Sequence, residues 1–379
     1  MSTVSHRRSS QQRDESGPVR SKQRAARKDL GWLVMASLFA AILAVTVGAC
    51  GGSSSTSSGA ADVSSAGGGD SGKQVNIAMF LVSTANTHQQ AALKGAERVV
   101  EEDGNATIHP FNGNFDPASQ SKQIEDATAT GQYNAFLADS IDGTQTVPAI
   151  TKALNEGVTV VCSFEVCGSE PTKFEKQLPV AAQVSPNLAL IGENAAKVVG
   201  AQACKGIDPC NVAFLKGVSV LAAVKAIAVP FEEDLAKEYP NVKIVAKPEG
   251  KFEANAANEA MKPVIQANPD LNVVFAVGDQ EAAGAAQAIE ESSLKGKGVK
   301  IIGDGASELA KREIEAGKWF ASAILRPMHE GEEEAKYVIA ATRGEPLSPD
   351  LVDTGLAPGF PEGFIFKGNA SKWRPEWAG

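Results

Sequence analysis

The chain has 379 residues, of which 43% are hydrophobic and 21% are charged, and its formal net charge is −9 at pH 7. This composition is globular, so it excludes a mostly disordered chain and a protein with many membrane spans, and the length allows two domains. Binding to nucleic acid needs clustered Lys and Arg, and an acidic chain of this kind therefore predicts no nucleic-acid partner.

Residues 1–49 have the pattern of a bacterial export signal. A basic stretch is followed by an uncharged, apolar run over residues 31–49, which is long enough for a signal peptide or a membrane span. The run ends in Val47-Gly48-Ala49-Cys50, which resembles a lipobox, where the cysteine thiol takes a diacylglyceryl group before cleavage. A plain membrane anchor is the competing interpretation, but it gives no reason for Cys50. We therefore predict a lipoprotein signal peptide, lipidation of Cys50 and anchoring to the outer face of the cell membrane.

Residues 50–73 predict a tether rather than a folded segment. After Cys50 the stretch is nearly all Gly, Ser, Ala and Thr, a composition that cannot bury a core and behaves as a flexible coil. We therefore expect the folded part to begin near Gln74.

The five cysteines indicate disulfides outside the cytoplasm. Lipidation of Cys50 leaves Cys162 and Cys167, five residues apart, and Cys204 and Cys210, six residues apart. Three pairings are possible in principle, and we favour the two local ones. A four-thiolate zinc site is the alternative, although neither spacing is the tight C-x₂-C usual for zinc. We predict no metal and no cofactor.

From Val75 onward, short runs of apolar and β-branched residues alternate with helical patterns. Such apolar runs suit parallel strands that are buried on both faces, each followed by a crossover helix. The sequence therefore predicts a doubly wound α/β fold. One helix is expected to end near Asp103 and the next to span Pro117–Thr130, and the predicted strands are residues 75–82, 107–108, 135–138, 158–161, 212–215, 242–245, 273–276 and 299–302.

The chain resembles two strand–helix units in succession, because one cycle closes near Val184 and another opens at Asn187. In open parallel sheets, ligands bind beyond the carboxyl ends of the strands. The loops after the predicted strands therefore matter most, and they contain Ser83, Thr84, Asn86, His88, Gln89, Ser140, Asp142, Phe164, Glu165, Asp279, Gln280 and Asp304.

Several short segments recur in the order and spacing of a known family. They are Ser83-Thr84-Ala85-Asn86, Leu93-Lys94-Gly95-Ala96, Phe111-Asn112, Asp116-Pro117, Ala138-Asp139-Ser140-Ile141-Asp142-Gly143, Val273-Val274-Phe275-Ala276 leading to Asp279, and Ile301-Ile302-Gly303-Asp304-Gly305. Together they resemble the type I periplasmic binding proteins of the ribose and galactose group over nearly all of residues 74–357.

The resemblance implies two Rossmann-like lobes with parallel sheets, joined by a three-strand hinge. It also implies a function: the solute-binding component of an ABC-type importer, which closes on a small polar ligand such as a monosaccharide or polyol. The implied partners are the permease and ATPase subunits, and the protein is expected to be a monomer. Crossings are expected near residues 183–185, 325–327 and 352–354, which gives an N-terminal lobe of 74–184 plus 327–353 and a C-terminal lobe of 185–326 plus 354–379.

Ten residues are expected in the ligand cleft because of this resemblance: Asn86, His88, Gln89, Phe164, Glu165, Lys225, Phe252, Asp279, Asp304 and Arg326. Carboxylates accept hydrogen bonds from sugar hydroxyls, amide and ammonium groups donate them, and an aromatic ring can cover the C–H face of a pyranose. The ordinary alternatives are helix capping for Asp279 and Asp304, a turn for Asn86, core packing for the phenylalanines, and a surface role for the others.

The ribose-specific residues of the family are not retained. Thr87, His88 and Gln89 stand where ribose-type relatives have a proline and two stacking aromatics, and Phe164-Glu165 replaces an Asp-Arg pair. Lys225 lies near the helix that normally supplies an arginine. The sequence therefore predicts the family without predicting the individual sugar.

The alternatives to sugar import are an enzyme, a sensor, transport of a non-sugar ligand and a DNA-binding regulator. The fingerprints of hydrolases, zinc proteases, P-loop proteins and dinucleotide-binding enzymes are missing from the sequence, which indicates a protein that is not an enzyme. A sensor that passes a ligand signal to a membrane receptor is the competing function, and the same transport role with a non-sugar ligand is another. A DNA-binding regulator is disfavoured, because no helix-turn-helix pattern precedes residue 74.

Overall fold

The structure is a computed structural model that describes residues 72–360 and 362–379. Its first strands and helices are β1 (Val75–Leu81), α1 (Thr87–Asp103), β2 (Ala106–Asn112), α2 (Pro117–Thr130), β3 (Ala135–Ala138), α3 (Gly143–Asn155), β4 (Thr159–Ser163) and β5 (Ala182–Ser185). The next are α4 (Leu188–Lys197) with a π-helical turn (Val198–Ala203), β6 (Cys210–Leu215), α5 (Ala222–Glu238), β7 (Val242–Ala246), α6 (Ala254–Ala267), β8 (Val273–Ala276), α7 (Asp279–Glu290), β9 (Lys300–Gly305), α8 (Glu308–Glu315) and β10 (Ala321–Ile324). The last are α9 (Pro327–Thr342), β11 (Leu351–Asp353), β12 (Phe364–Phe366) and a 3₁₀ turn (Ala370–Lys372).

The strands form two six-stranded sheets. The first sheet has the order β11-β5-β4-β3-β1-β2 and is parallel throughout. The second has the order β12-β10-β9-β8-β6-β7 and is parallel except for β12, which runs antiparallel to β10. The predicted doubly wound α/β class is confirmed. We call the first sheet with its helices the first lobe, and the second sheet with its helices the second lobe.

The chain passes between the two sheets three times, after β5, after β10 and after β11. Two of these passages lie side by side, because the Thr354 N–H donates to the Ser185 carbonyl at 3.0 Å. Arg326, on the passage after β10, donates to the Leu356 carbonyl, on the passage after β11, at 3.2 Å. The three passages therefore form one hinge region between the lobes.

Each sheet is covered by helices on both faces, as the alternation of side chains along its strands requires. In β1, Ile77 and Met79 face the core under α1 and α9. Ala78 and Phe80 face the core under α2 and α3. β3 and β8 are buried along their whole length and β1 at every position except Asn76, which explains their apolar sequence.

Helices α1 and α3 of the first lobe begin where strands end, and polar residues cap them. The Asn86 side chain accepts from the His88 and Gln89 N–H groups at the start of α1. Asp142 caps α3 in the same way, and such caps satisfy backbone donors that the helix itself leaves unpaired. Both capping residues thereby lie at the carboxyl edge of the first sheet.

The structure pairs Cys162 with Cys167 and Cys204 with Cys210, which are the two local disulfides predicted from the spacing. These four thiols are therefore not available for the alternative zinc site. Within the described ranges, no helix is long and apolar enough to cross a bilayer. Cys50, the signal peptide and nearly all of the tether lie outside the described residues.

Candidate functional site

The carboxyl ends of the two sheets face each other across a cavity of about 70 Å³. A single water molecule needs about 10–15 Å³ by this measure, so the cavity has room for a compact solute only. Both lobes contribute to its walls. Seven of the ten predicted cleft residues line it, namely Asn86, His88, Gln89, Phe164, Glu165, Phe252 and Asp304.

The lobes are closed over this cavity. The Ala222 N–H at the start of α5 donates to the Ile141 carbonyl of the first lobe at 3.1 Å. Gln280 Nε2 donates to Thr87 Oγ1 at 2.8 Å, which joins α7 to α1. A molecule in the cavity would therefore lie between two lobes that contact each other directly.

The loop after β1 provides polar groups that are largely engaged within the protein. Asn86 lines the cavity and also caps α1, so its predicted turn role and its place in the cleft coexist. Gln89 Nε2 donates to Asp139 Oδ2 at 2.7 Å, and its Oε1 accepts from the Val82 N–H at 3.3 Å. Burial lowers the pKa of His88 to about 4, so this imidazole is neutral at neutral pH.

Aromatic side chains form much of the cavity wall. Phe115 from the first lobe and Phe252 from the second are nearly parallel, with ring centroids 6.4 Å apart. Phe164 lies 4.8 Å from the His88 ring, and Trp377 meets the same ring edge-on at 5.7 Å.

The three phenylalanines share an uncommon backbone conformation, with φ of 56° at Phe115, 49° at Phe164 and 56° at Phe252. Such values are rare in bulky residues and strain the backbone, and conformations of this kind are found most often at ligand sites.

Two buried carboxyl groups face the cavity, one from each lobe. Glu165 is 1% exposed and Asp304 is 3% exposed. Burial raises the pKa of Asp304 to about 8, with a smaller contribution from Asp279. Burial also raises the pKa of Glu165 well above its usual range, and the nearby Asp139 adds to this effect. The alternative of helix capping does not hold for Asp304, because Ser307 caps α8.

Asp279 lies behind Asp304 and holds its loop. Its Oδ2 accepts from Ser307 Oγ at 2.7 Å and from the Ser307 N–H at 2.9 Å, and its Oδ1 accepts from Ser322 Oγ at 2.7 Å. Glu281 acts in the same way on another wall, because its Oε1 accepts from the Phe252 N–H at 3.1 Å. These acids position cavity residues rather than facing the cavity themselves.

Three residues predicted for the cleft lie outside its lining: Lys225, Asp279 and Arg326. Lys225 Nζ is 3.5 Å from Asp142 Oδ2 across the rim, with 46% of its side chain exposed. Arg326 Nε is 3.4 Å from Glu376 Oε1 at the hinge. In each case the structure provides a partner within the protein that holds the side chain away from the cavity.

The sequence did not indicate several lining residues, among them Phe115, Leu221, Val224 and Trp377. Phe115 follows β2, so the rule about strand ends could have identified it. Trp377 carries no such signal. Its carbonyl accepts from the Glu308 N–H at 3.0 Å, and its Nε1 donates to the Gly305 carbonyl at 3.1 Å, which fixes the C-terminal tail against the second lobe.

The chain matches the family model described as periplasmic binding protein domain over residues 77–346, and it belongs to that family. This confirms the family predicted from the sequence. It is 25% identical to a D-ribose/D-allose-binding protein of Pseudomonas aeruginosa over 65% of this chain and 76% of that protein. It is also 25% identical to the fructose import binding protein FruE of Bifidobacterium longum, over 81% of this chain and 88% of that protein.

Solved structures share the fold. An ABC transporter solute binding protein from Mycobacterium smegmatis with bound glycerol has a TM-score of 0.68 at 24% identity. The match covers 81% of this chain and 100% of that one. A solute binding protein from Actinobacillus succinogenes with bound D-allose has a TM-score of 0.67 at 20% identity, covering 79% of this chain and 100% of that one. At these identities the likeness concerns the fold, and it agrees with the two-lobed architecture described above.

Proposed function

We propose that this chain is the solute-binding component of an ABC-type importer, and that it captures a monosaccharide or a related polyol between its lobes. The observation that carries the proposal is the small cavity between the carboxyl ends of two sheets, with walls from both lobes. Relatives named for ribose, allose and fructose binding support a sugar as the ligand.

The geometry suits reversible capture. The three passages of the hinge allow the lobes to separate, and closure joins α7 to α1 and α5 to the loop after β3. In the closed state the rings of Phe164 and Phe252 can cover the apolar faces of a sugar ring, while carboxyl and amide groups bond its polar edge. The ligand leaves unchanged, because the role of the protein is delivery.

The predicted cleft residues divide into two roles in this proposal. Asn86, His88, Glu165, Phe164, Phe252 and Asp304 contact the ligand, and Gln89 connects the ligand wall to Asp139. Lys225 acts on closure through Asp142, Asp279 supports the Asp304 loop, and Arg326 acts at the hinge.

The lobes are proposed to comprise residues 74–184 plus 327–353 and residues 185–326 plus 354–379.

We propose that residues 50–73 tether this receptor, as a monomer, to the outer face of the membrane through a lipid on Cys50. The partners are then the membrane-embedded permease and its ATPase, which recognise the closed form. A Cys50→Ala variant is expected to leave the membrane fraction or to be retained with its signal peptide uncleaved. Unchanged membrane anchoring with normal processing of this variant would contradict the lipid attachment.

Calorimetric titration of the full-length chain, purified in detergent, tests the binding function. We expect one solute per chain within a panel of D-ribose, D-allose, D-fructose, the common hexoses, their amino derivatives and myo-inositol. A dissociation constant of about 1 µM corresponds to about −8 kcal/mol, which is within reach of a few charge-assisted hydrogen bonds and a covered ring face. No heat change with any member of the panel would contradict the proposal.

A further inference from the structure

We propose that the solute carries a positive charge, and that it is an amine-bearing monosaccharide or cyclitol whose ammonium group lies against Glu165 and Asp304 inside the aromatic wall. This inference rests on the proposed function and specifies the class of solute within it.

The first observation is that carboxylate oxygens reach the cavity without partners. The carboxyl oxygens of Glu165 and the Oδ1 of Asp304 are buried and accept no well-formed hydrogen bond from a described residue. The Ala223 N–H at the start of α5 is directed at Glu165 and favours its charged form, and Lys225 favours that form through its charge. Buried carboxyl groups need hydrogen-bond partners, and a molecule bound in the cavity would supply them.

The second observation is that no cation shares the cavity with these acids. No Lys or Arg is found in its lining, as far as the structure describes the chain. His88 is neutral at neutral pH because its pKa is lowered to about 4. Lys225 and Arg326 are engaged at the rim and the hinge by Asp142 and Glu376.

Most of the titratable groups around both acids are carboxyl groups. Asp139, Asp142 and Lys225 face Glu165, and the first two raise its pKa. Asp279 and Glu281 face Asp304. Glu330 and Glu334 of α9 lie behind Asp139, buried and close to each other. A cation in the cavity would compensate the ionised form of these acids, whereas a neutral polyol would leave them protonated.

The third observation is the aromatic wall. Phe115, Phe164, Phe252 and Trp377 all line the cavity. Ring faces attract an organic ammonium group, and this attraction is strongest in a site without water. Among the described residues no group of three His, Cys, Asp or Glu is placed to hold a metal ion, which favours an organic cation over a metal. An amine on a compact ring satisfies both the acids and the aromatic walls.

Calorimetry with matched sugars tests the charge directly, using the full-length chain in detergent. The pairs are D-glucosamine with D-glucose, D-galactosamine with D-galactose, and D-mannosamine with D-mannose, and the N-acetylated sugars are neutral controls. At pH 7 we expect at least one amino sugar to bind about tenfold or more tightly than its neutral and N-acetylated forms.

Proton release provides a second readout. Asp304 holds a proton below about pH 8 in the ligand-free protein, and an ammonium group that binds there displaces it. The affinity for the amino sugar should therefore fall as the pH is lowered from about 7 to about 5. If binding releases one proton, the fall is up to about tenfold for each pH unit. A neutral sugar that accepts a hydrogen bond from the protonated acid would show no such fall.

Variants then assign the effect to the two acids. Glu165→Gln and Asp304→Asn should each weaken the amino sugar about tenfold or more, while Glu125→Gln, the same change on the exposed face of α2, should leave its affinity unchanged. Thermal unfolding checks that each variant is folded.

The outcomes separate this inference from the function it specifies. Equal or tighter binding of the neutral sugars would overturn the positive charge and leave the proposed function intact. Binding of choline or ethanolamine in place of every sugar would overturn the sugar or cyclitol class and the proposed function with it. No binding of any of these compounds would overturn both.

Discussion

Phe252 shows how the cavity wall depends on single residues around it. Its φ of 56° is in the left-handed region, which the Glu281 carboxylate helps to hold by accepting from the Phe252 N–H. Gly217 lies under the ring, and a Cβ at that position would overlap the ring atoms. Glycine at position 217 therefore leaves the space that the Phe252 ring occupies between the lobes.

Replacing this ring should weaken ligand binding. In Phe252→Ala the wall opposite Phe115 is lost, and we expect the dissociation constant measured by calorimetry to rise about tenfold, since an aromatic contact contributes about 1 kcal/mol beyond its buried area. Phe366→Ala removes a ring of the same kind from β12, away from the cavity. It should leave the affinity unchanged, and an equal loss in both variants would contradict the role of Phe252.

The residues that could be predicted from the sequence are those that follow strands directly. Asn86 and Glu165 lie beyond β1 and β4, and Asp304 lies at the carboxyl end of β9, where the fold class alone places ligand contacts. Lys225 could not be assigned in this way, since its position depends on whether Asp142 is within reach across the rim. Trp377 depends on backbone bonds of the C-terminal tail, which leave no mark in the sequence.

Among the elements, α1 and α9 define the first lobe next to the hinge. They pack closely because both carry glycine at the crossing. A Cβ on Gly331 would overlap the Ala92 carbonyl, and one on Gly95 would overlap the Met328 carbonyl. Since α9 follows directly after a passage between the lobes, this contact fixes where the hinge joins the first lobe.

A methyl group at the crossing should therefore destabilise the protein. We expect Gly331→Ala to lower the free energy of unfolding by about 1–3 kcal/mol, as overpacking of a close contact does, measured by urea denaturation. Gly368→Ala is the control, because a Cβ there has no neighbour within 4 Å, and it should change the stability by less than about 0.5 kcal/mol. Equal stability of the Gly331→Ala and Gly368→Ala variants would contradict the requirement for close packing between α1 and α9.

Elements with strong local signals were predicted closely. Helix α2 spans Pro117–Thr130 as predicted, since Asp116 caps its start and Gly131 ends it with φ of 61°. Strands β10 and β12 were not predicted. Ala321-Ser322-Ala323-Ile324 has little β-propensity of its own, and β12 is only three residues long. Both are strands because their neighbours in the second sheet supply the hydrogen bonds.

At the scale of the whole molecule, buried acids are concentrated around the cleft of an acidic protein. Burial raises the pKa of Asp304 and Glu281 to about 8 and that of Asp139 to about 7. The folded state therefore holds protons that the unfolded chain releases at lower pH. Stability from these groups is present at low pH and is lost as the pH rises through about 8.

The ligand-free protein should accordingly become less stable in alkali. We expect the Tm to fall by on the order of 5 °C between pH 6.5 and pH 8.5 in calorimetric scans. His88 contributes the opposite slope only below its unfolded pKa of 6.5, because burial lowers its pKa to about 4. Asp304→Asn should reduce the fall, since the amide does not titrate. A Tm that rises across this range would contradict the buried, protonated acids.

The central claim is a pair of hinged lobes that shut on one solute, and a distance between the lobes tests it most directly. Spin labels at Lys122→Cys on α2 and Glu259→Cys on α6 would report on exposed sites in opposite lobes, whose side chains are 72% and 71% exposed. Pulsed electron resonance should show a longer, broader distance distribution without ligand and a single shorter distance with the tightest-binding sugar of the panel. An identical distribution in the two samples would contradict closure.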